Sequence, residues 1–362
     1  MGLRSALEKR LWSQDVPRDG WEPLLRMASG VYGILVGLRN RLYDRHFGVR
    51  FLPAPVISVG NLRVGGTGKT PLVAFLAAKL RDQGLKVAVL SRGYGRRKGP
   101  PILQVSAGAG AAVPVEMAGD EPYSLARCVH GVSVWVGKRR IEVGLKAWAQ
   151  ERPDLFLLDD GFQHRSLHRD LDVVVARLPR PWGNSRLIPA GPLREPRRNL
   201  TRAHLLVMTG CEATEEMAEV AELARFAIPT VRAWLKPEAL RPLGSHRVLE
   251  AHGIRGRRVG LVCAIGDPGL FALTVKGLGA QVGPCLFFRD HHWYTQQDVR
   301  LIGGLLREAE LILTTEKDAG KLEAVGMEMD SIMALRVTLE LQPEQLLNEL
   351  LEDVVPMSAR FR

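Results

Sequence analysis

The chain has 362 residues, of which 46% are hydrophobic and 25% charged, as expected of a globular protein with two domains. No stretch approaches the ~20 apolar residues of a transmembrane helix, and none of the four cysteines forms a C-x-x-C pair, which argues against a zinc or thiol-redox site. Residues 1–200 contain 32 Lys/Arg against 17 Asp/Glu, whereas residues 201–362 have a net charge of −4. The basic half predicts an anionic partner, and nucleic acid is not expected because no motif that reads it is present.

The first predicted helix lies near the N-terminus, in WEPLLRMASGVYGILVGLRNRLYDRHF at residues 21–47. Its uninterrupted apolar stretch is too short to span a bilayer but suits a helix in the membrane interface, with flanking arginines near anionic headgroups. An amphipathic helix packed on the rest of the protein is the alternative. The helical stripe consists of Leu24, Ala28, Val31, Leu35, Leu38 and Leu42, widened by Leu25, Tyr32, Val36 and Tyr43.

A glycine-rich loop follows, in NLRVGGTGKTP at residues 61–71. The apolar run PVISVG before it predicts a buried strand, and TPLVAFLAAKLRDQG after it has the apolar spacing of a helix. A loop between strand and helix is the context of a phosphate-binding P-loop. Arg63 stands where the consensus G-x-x-x-x-G-K-[ST] has its first glycine.

The chemistry of a P-loop survives this substitution. The remaining glycines let the backbone approach phosphate closely, Lys69 can reach the β- and γ-phosphates, and the Thr70 hydroxyl can ligate Mg²⁺. The alternative, a βα turn that binds nothing, does not account for the complete G-K-T sequence. The predicted nucleotide-binding residues are Arg63, Val64, Gly65, Gly66, Thr67, Gly68, Lys69 and Thr70.

Strand-like runs alternate with helical ones along most of the chain, which predicts an α/β fold with mainly parallel sheets. We expect an N-terminal amphipathic segment at residues 1–50, a P-loop domain at 51–200 and a second α/β domain at 201–362. After the loop, the predicted strands lie in KVAVLSRGYG, VSVWVG, DLFLLDDG, LDVVVARL, HLLVMTG, RVGLVCAIGDP and ELILTTEKD.

Acidic and histidine side chains follow several of these strands, where ligands of open α/β sheets bind. Asp159 and Asp160 come directly after an apolar run and predict a Mg²⁺ site, although two turn-forming aspartates would look similar. Asp120 and Glu121 of AGDEPYSLA are either chemically active or a helix cap. The segment FFRDHHWY, which offers Asp290, His291 and His292, is a further candidate.

The segment LTTEKDAGKL at residues 313–322 resembles a guanine-reading [NT]-K-x-D motif but has Ala319 where the aspartate should stand. This difference argues against a GTPase. The alternative interpretation is a helix capped by Thr315, with Asp318 three residues later.

Taken in order, GNLRVGGTGKTP, SRGYG, GDEP, DDGFQH, PAGPLREP, DHH and TTEKDA closely resemble the tetraacyldisaccharide 4′-kinase family of lipid A biosynthesis. The resemblance spans roughly residues 55–322. It implies two α/β domains and Mg²⁺-dependent transfer of the γ-phosphate of ATP to the 4′-hydroxyl of a tetraacylated glucosamine disaccharide 1-phosphate. It also implies peripheral or monotopic attachment to the cytoplasmic face of the bacterial inner membrane, with no obligate protein partner.

The resemblance also assigns residues to roles. Asp120 matches the catalytic base of the family and His291 its partner, while Lys69 and Thr70 match the phosphate- and Mg²⁺-binding pair. Asp159 and Asp160 match the acidic pair near the metal. Arg140 falls at or near an active-site position, where an arginine can neutralise charge on the transferring phosphoryl group. The substrate-binding candidates are Arg92, Tyr94, Glu121, Gln163 and Arg194.

Two other classes of protein fit parts of the pattern. One is a P-loop NTPase that acts as a switch or metal-delivery chaperone, and the other is a kinase of a soluble metabolite. Transfer of phosphate from ATP that depends on the lipid disaccharide would distinguish a tetraacyldisaccharide 4′-kinase from both of these classes.

Overall fold

The computed structural model of the chain describes residues 20–210, 218–245, 247–327 and 329–355. These residues form two compact units, each assembled from separate stretches of the chain. The first takes the described residues of Met1–Lys69, Trp148–Trp234 and Leu341–Arg362, and the second takes those of Thr70–Ala147 and Leu235–Glu340. The domain boundaries expected at residues 50 and 200 stay a prediction.

The strands of the described residues are, in chain order, β1 Val56–Gly60, β2 Val87–Ser91, β3 Ile102–Ala107, β4 Ser133–Gly137, β5 Leu155–Asp159, β6 Leu171–Arg177, β7 Leu205–Thr209, β8 Thr230–Pro242, β9 Leu249–Glu250, β10 Arg258–Cys263, β11 Gln281–Phe287, β12 Leu311–Thr315 and β13 Ile332–Gln342. The helices are α1 Glu22–Asp44, α2 Lys69–Asp82, α3 Val115–Ala118, α4 Asp120–Cys128, α5 Arg140–Glu151, α6 Ala218–Ala224, α7 Pro268–Gly277, α8 Gln296–Leu305, α9 Glu316–Ala324 and α10 Glu344–Val354, with short 3₁₀ turns at Arg197–Arg202 and Ala251–Ile254.

The sheet of the first unit is parallel. β1 lies between β5 and β6, with Val59 opposite Asp159, and β6 continues through β7 to the start of β8. All residues of β1 and β5 are buried, as their uninterrupted apolar runs predict. Because the two strands are parallel, their carboxyl ends meet at one edge, where the glycine-rich loop and Asp160 follow.

The second unit contains two further sets of strands. β2 and β4 are parallel, with β3 antiparallel to β4, and β11, β10, β12 and β13 pair in that order, all parallel. Helix α9 packs closely on α4 at Gly320, where a Cβ atom would lie only 2.3 Å from Cε1 of Tyr123. This close approach brings the side chains of α9 to the beginning of α4.

The predicted α/β fold with mainly parallel sheets is confirmed. The eight predicted apolar runs coincide with β1, β2, β4, β5, β6, β7, β10 and β12. Strands such as β3 and β11 were not predicted, because half-exposed strands with polar residues lack an uninterrupted apolar run.

One face of the N-terminal helix α1 packs on residues 187–195. The Ser29 hydroxyl donates a hydrogen bond to the Leu187 carbonyl (2.8 Å), and a Cβ atom at Gly33 would lie 2.9 Å from Cδ1 of Leu187. Small side chains therefore let α1 approach an irregular segment closely.

The opposite face of α1 is apolar and exposed. Its side chains are 48–66% exposed: Leu24, Met27, Val31, Ile34, Leu35, Leu38 and Leu42. The predicted amphipathic helix is confirmed, and the predicted stripe lies mostly on this exposed face. Within the described ranges, no helix is both long and apolar enough to cross a bilayer.

A buried carboxylate fastens α1 to the first unit. Glu195 has no exposed surface, and its Oε2 accepts hydrogen bonds from Nδ2 of Asn40 in α1 (2.9 Å) and Nδ2 of Asn199 (2.7 Å). The guanidinium groups of Arg202 (2.9 Å) and Arg39 (3.3 Å) supply the compensating positive charge.

We expect Glu195→Ala to lower the free energy of unfolding by about 3–5 kcal/mol, because it removes a fully buried carboxylate and leaves the mostly buried guanidinium group of Arg202 without that partner. Urea denaturation followed by circular dichroism measures the change. The matched control is Glu349→Ala, which removes an exposed carboxylate of α10 and should change stability by less than about 0.5 kcal/mol. Equal losses in the two variants would contradict the anchoring role of Glu195.

Candidate active site

The glycine-rich loop begins by pairing with the segment GPLRE. The Val64 N–H donates to the Pro192 carbonyl (2.9 Å), and the Arg194 N–H donates to the Leu62 carbonyl (2.8 Å). Arg63 lies between these two bonds and bridges to the same segment. Because an extended ladder accepts any L-residue, the loop needs no glycine at position 63.

The later part of the loop does need glycine. Gly65 and Gly68 have φ angles of 106° and 91°, in the region that disfavours side chains. Between them, the Thr67 hydroxyl accepts a hydrogen bond from Nδ2 of Asn61 (2.8 Å), and the Thr67 carbonyl accepts one from the Thr209 hydroxyl (3.0 Å). These bonds fix the loop immediately before α2 begins.

Asp160 is the centre of a charged cluster at the carboxyl end of β5. A terminal nitrogen of Arg194 donates to both of its carboxylate oxygens at 2.8 Å, and Nζ of Lys69 lies 3.6 Å from Oδ1. The same arginine nitrogen lies 3.2 Å from Oε1 of Gln163. The preceding Asp159 is only 1% exposed. Five of the predicted site residues are thus brought together in the first unit.

The backbone after β5 explains why Asp160 points toward this cluster. Its φ angle is 54°, in the left-handed region that aspartate tolerates better than most residues. At Gly161, a Cβ atom would lie 2.6 Å from Oγ of Ser58 and 2.8 Å from Cβ of Leu158. The sharp bend at the end of β5 therefore requires glycine directly after the acidic pair.

In the second unit, Asp120 contacts His291. Nδ1 of His291 lies 2.9 Å from Oδ2 and 3.1 Å from Oδ1 of Asp120, whose side chain is buried at the first position of α4. The N-cap of α4 is Gly119, where a Cβ atom would lie 2.6 Å from the Tyr94 carbonyl oxygen. The alternative that Asp120 is simply the helix cap was therefore wrong. His291 itself has a φ angle of 61°.

Two lysines of α9 lie beside this pair. Nζ of Lys321 is 3.3 Å from Oδ2 of Asp120 and 3.0 Å from Oδ1 of Asp318, and Nζ of Lys317 is 4.0 Å from Oδ2 of Asp120. Burial raises the pKa of the Asp120 carboxyl, but the hydrogen bond to His291 and the lysine charges outweigh burial and hold that pKa well below its usual range. Asp120 is therefore ionised at neutral pH.

Lys317 also meets two further carboxylates. Its Nζ lies 2.8 Å from Oδ1 of Asp290 and 3.5 Å from Oε1 of Glu121. Burial lowers the pKa of Lys317, but Glu121, Asp120 and Asp290 together raise it above its usual range. The ammonium group is therefore charged at neutral pH, and the predicted site residue Glu121 belongs to the same cluster.

Three other predicted residues belong to the second unit. Arg140 begins α5, is buried, and donates to the Gly137 carbonyl (3.2 Å). The Arg92 side chain is exposed, and the ring of Tyr94 lies edge-on to that of His291, with 4.9 Å between centroids.

The neighbouring His292 has a different environment. Its Nε2 lies 3.0 Å from Oδ2 of Asp298, and its ring stacks on Phe288 with 4.7 Å between centroids. In the part of the chain that the structure describes, His291 is therefore the histidine of the Asp-His-His segment that contacts Asp120.

The lysines of LTTEKDAGKL were not identified from sequence. The interpretation of this segment as a helix cap is confirmed, since the Thr315 hydroxyl accepts a hydrogen bond from the Asp318 N–H (3.2 Å). The sequence signal that could have identified the two lysines is their spacing, because residues four apart lie on one face of a helix.

Comparison with known proteins decides the family. The sequence model of the tetraacyldisaccharide-1-P 4′-kinases, named LpxK, matches residues 21–355. The chain belongs to this family. A tetraacyldisaccharide 4′-kinase of Syntrophus aciditrophicus is 40% identical over 352 residues, which cover 92% of this chain and 93% of the relative. One of Geobacter sulfurreducens is 41% identical over 305 residues, covering 83% and 84%.

A solved structure agrees with this assignment. The crystal structure of LpxK from Aquifex aeolicus in complex with ATP matches with a TM-score of 0.74 and 35% sequence identity, covering 91% of this chain and 97% of that one. The resemblance inferred from the ordered motifs is thereby confirmed. The switch-type NTPase and the kinase of a soluble metabolite are no longer needed to account for the P-loop.

We expect Lys69→Ala to lower kcat/KM by at least about 10²-fold, because Lys69 faces the charged cluster at Asp160 and not the apolar core. A phosphate-transfer assay measures activity, and isothermal titration calorimetry measures ATP binding. Circular dichroism should show an unchanged fold. The control Lys98→Ala removes an exposed lysine and should be fully active. Near-normal turnover of Lys69→Ala would contradict a phosphate-binding role.

Proposed function

We propose that Asp120 and His291 accept the proton of the 4′-hydroxyl when this chain phosphorylates its substrate. Membership of the family makes the chain an ATP-dependent kinase that forms lipid IVA from a tetraacylated glucosamine disaccharide 1-phosphate. The single observation that carries the residue-level proposal is the 2.9 Å contact between Nδ1 of His291 and the buried, ionised carboxylate of Asp120.

The reaction requires one bond to form and one to break. The 4′-oxygen bonds to the γ-phosphorus, the bond from that phosphorus to the β,γ-bridging oxygen breaks, and ADP leaves with the charge. The hydroxyl proton passes to the Asp120–His291 pair. Because the transition state of phosphoryl transfer is loose, the hydroxyl need not be deprotonated early. A weakly basic carboxylate that orients the hydroxyl is therefore sufficient.

Positive charge supplies the rest of the catalysis. In this proposal Lys69 neutralises charge on the β- and γ-phosphates, and Arg140 neutralises charge on the transferring group. The loop residues Arg63 to Gly68 contribute the backbone that surrounds the phosphates, held in place by the hydrogen bonds of Thr67. The proposed substrate-binding residues are Arg92, Tyr94, Glu121, Gln163 and Arg194.

We also propose that Mg²⁺ binds through Asp159 and Asp160. Carboxylate oxygens are the ligands that Mg²⁺ prefers, and the Asp160 carboxylate lies 3.6 Å from Nζ of the phosphate-binding Lys69. The described ranges contain no group of three or more His, Cys, Asp or Glu arranged for a metal, which fits an ion that shares its ligands with nucleotide phosphates and water. When bound, Mg²⁺ would neutralise phosphate charge. That the Thr70 hydroxyl is a further Mg²⁺ ligand stays a prediction.

The exposed apolar face of α1 supports contact with a membrane. A contiguous exposed apolar surface on a helix whose other face is packed needs a partner, and the lipid substrate suggests the bilayer. The exposed arginines Arg26, Arg41 and Arg45 would meet anionic headgroups. We therefore propose peripheral or monotopic attachment to the cytoplasmic face of the inner membrane, where ATP is available.

For the proton-accepting pair, we expect Asp120→Asn and His291→Ala each to lower kcat by roughly 10²–10⁴-fold. If the two groups act as a unit, the double variant should be little slower than either single one. The matched control is His292→Ala, because His292 is adjacent in sequence and pairs with Asp298 instead. It should stay near the wild-type rate.

Radiolabelled ATP and the lipid disaccharide in detergent measure these rates. Fully additive losses would show that Asp120 and His291 act separately, and an active Asp120→Asn variant would exclude Asp120 from proton transfer.

For the membrane contact, we expect the protein to float with anionic liposomes and the double variant Leu35→Asp/Leu38→Asp to remain in the soluble fraction. The same variant should raise KM for the lipid more than KM for ATP, because only the lipid must be reached from the bilayer. The control Leu273→Asp/Leu301→Asp changes two side chains that are exposed elsewhere, at 65% and 58%, and should float normally. Flotation of both double variants would exclude α1 as the principal anchor.

A further inference from the structure

Two ammonium groups of α9, those of the partly exposed Lys317 and the buried Lys321, lie beside the Asp120–His291 pair, and the mechanism above assigns them no role. Lys317 and Lys321 are four residues apart, so they lie on the same face of the helix. The close packing at Gly320 brings that face against the start of α4, where Asp120 lies. The arrangement therefore depends on the packing of one helix on another and not on a flexible loop.

Lys321 is held rigidly. It is 1% exposed, and a buried ammonium group is tolerated only with a paired acceptor. Oδ1 of Asp318, one turn earlier in α9, is 3.0 Å away, and Oδ2 of Asp318 is itself fixed by the Thr315 hydroxyl (2.8 Å) and the Ala264 N–H (2.9 Å). This chain of contacts places Nζ of Lys321 at 3.3 Å from Oδ2 of Asp120.

Lys317 contacts the histidine of the pair. Its Nζ is 3.4 Å from Nε2 of His291, and Asp290 and Glu121 hold it there. Because an ammonium group can only donate, Nε2 must accept. The tautomer that fits both contacts carries its proton on Nδ1 and donates it to Asp120.

We propose that Lys317 and Lys321 are positioning residues for phosphoryl transfer. Lys321 keeps the Asp120 carboxylate ionised and in place, and Lys317 fixes the orientation and the tautomer of His291. This inference rests on the proposed role of Asp120 and His291 and adds the groups that keep the pair ready to accept a proton.

The charges around Asp120 make the expected effect of each lysine clear. The charged groups that contact it are His291, Lys317 and Lys321, which favour its ionised form. The carboxylates around these partners are Glu121 and Asp290 beside Lys317 and Asp318 beside Lys321. When one lysine is removed, burial is opposed by less positive charge, so the pKa of Asp120 rises. A protonated Asp120 cannot accept the hydroxyl proton, so the acid limb of the pH–rate profile must move to higher pH.

The test compares Lys321→Met, Lys317→Met and Lys317→Arg in the full-length chain. Methionine removes the charge with little change in apolar volume, and arginine keeps the charge. The matched control is Arg241→Met, because Arg241 is a buried cation that pairs with Glu316 and Glu323 of the same helix α9 and does not contact Asp120. Thermal melts followed by circular dichroism report the fold, and kcat and KM for ATP are measured across pH.

We expect each methionine variant to lower kcat by about 10–100-fold at neutral pH, with little change in KM for ATP, because the carboxylate or the imidazole is no longer held in place. The acid limb of kcat should also move to higher pH. Lys317→Arg should recover part of the rate. Arg241→Met should lower the melting temperature but leave the acid limb where it is in the wild type. If Lys321→Met fails to fold, Lys317→Met still tests the inference, because 19% of the Lys317 side chain is exposed.

An unchanged acid limb in the lysine variants, together with rates equal to those of Arg241→Met, would overturn the inference. Asp120→Asn separates this failure from that of the proposed function. If Asp120→Asn is inactive while the lysine variants resemble the control, only the inference about the lysines fails. If Asp120→Asn is active, the role of Asp120 itself is wrong.

Discussion

A carboxylate that is buried and still ionised imposes the strongest physical constraint on the second unit. Removing an ion from water costs several kcal/mol even after the protein relaxes, and a carboxylate bears this only with positive partners and hydrogen bonds around it. Asp120 is 3% exposed and receives the imidazole of His291 and the ammonium group of Lys321. Those partners lie about 170 to 200 residues later in the chain. The packing of α9 on α4 is thus a condition for the charge state of Asp120.

The acidic residue of the first unit has a different environment. The side chain of Asp160 is 31% exposed and pairs with Arg194 and with Lys69, the residue proposed to bind phosphate. A partly exposed carboxylate beside a phosphate site suits the binding of a cation and phosphate, whereas a buried one beside an imidazole suits the acceptance of a proton. The two carboxylates therefore fit separate tasks because of their surroundings, although the side chains are chemically the same.

The segment GPLREP serves both the site and the N-terminal helix. Arg194 pairs with Asp160, while the next residue, Glu195, is the buried anchor of α1 through Asn40. The backbone of the same segment pairs with the beginning of the glycine-rich loop. The helix that presents an apolar face to its surroundings and the loop that would hold the nucleotide phosphates are consequently attached to one short stretch of chain. A shift of this stretch would disturb both.

The sequence by itself determined the class of fold, the family and the identity of most candidate residues. Uninterrupted apolar runs define the buried parallel strands. The motifs GGTGKT, DDGFQH and GPLREP are short contiguous stretches, so their candidate residues can be recognised from sequence alone. Half-exposed strands such as β3 and β11 were not predicted from the sequence, because such strands do not require a continuous apolar run.

Only the tertiary structure decided which side chains act on one another. It brought His291, the histidine that the resemblance had indicated, against Asp120, whereas His292 pairs with Asp298. It also showed that one face of α1 packs while the predicted stripe is mostly exposed. It also brought Lys317 and Lys321 to the pair from a helix whose sequence indicated no more than a cap. The physical reason is that local pattern fixes the face on which a residue lies, whereas the partner of that face depends on contacts between segments far apart in the chain.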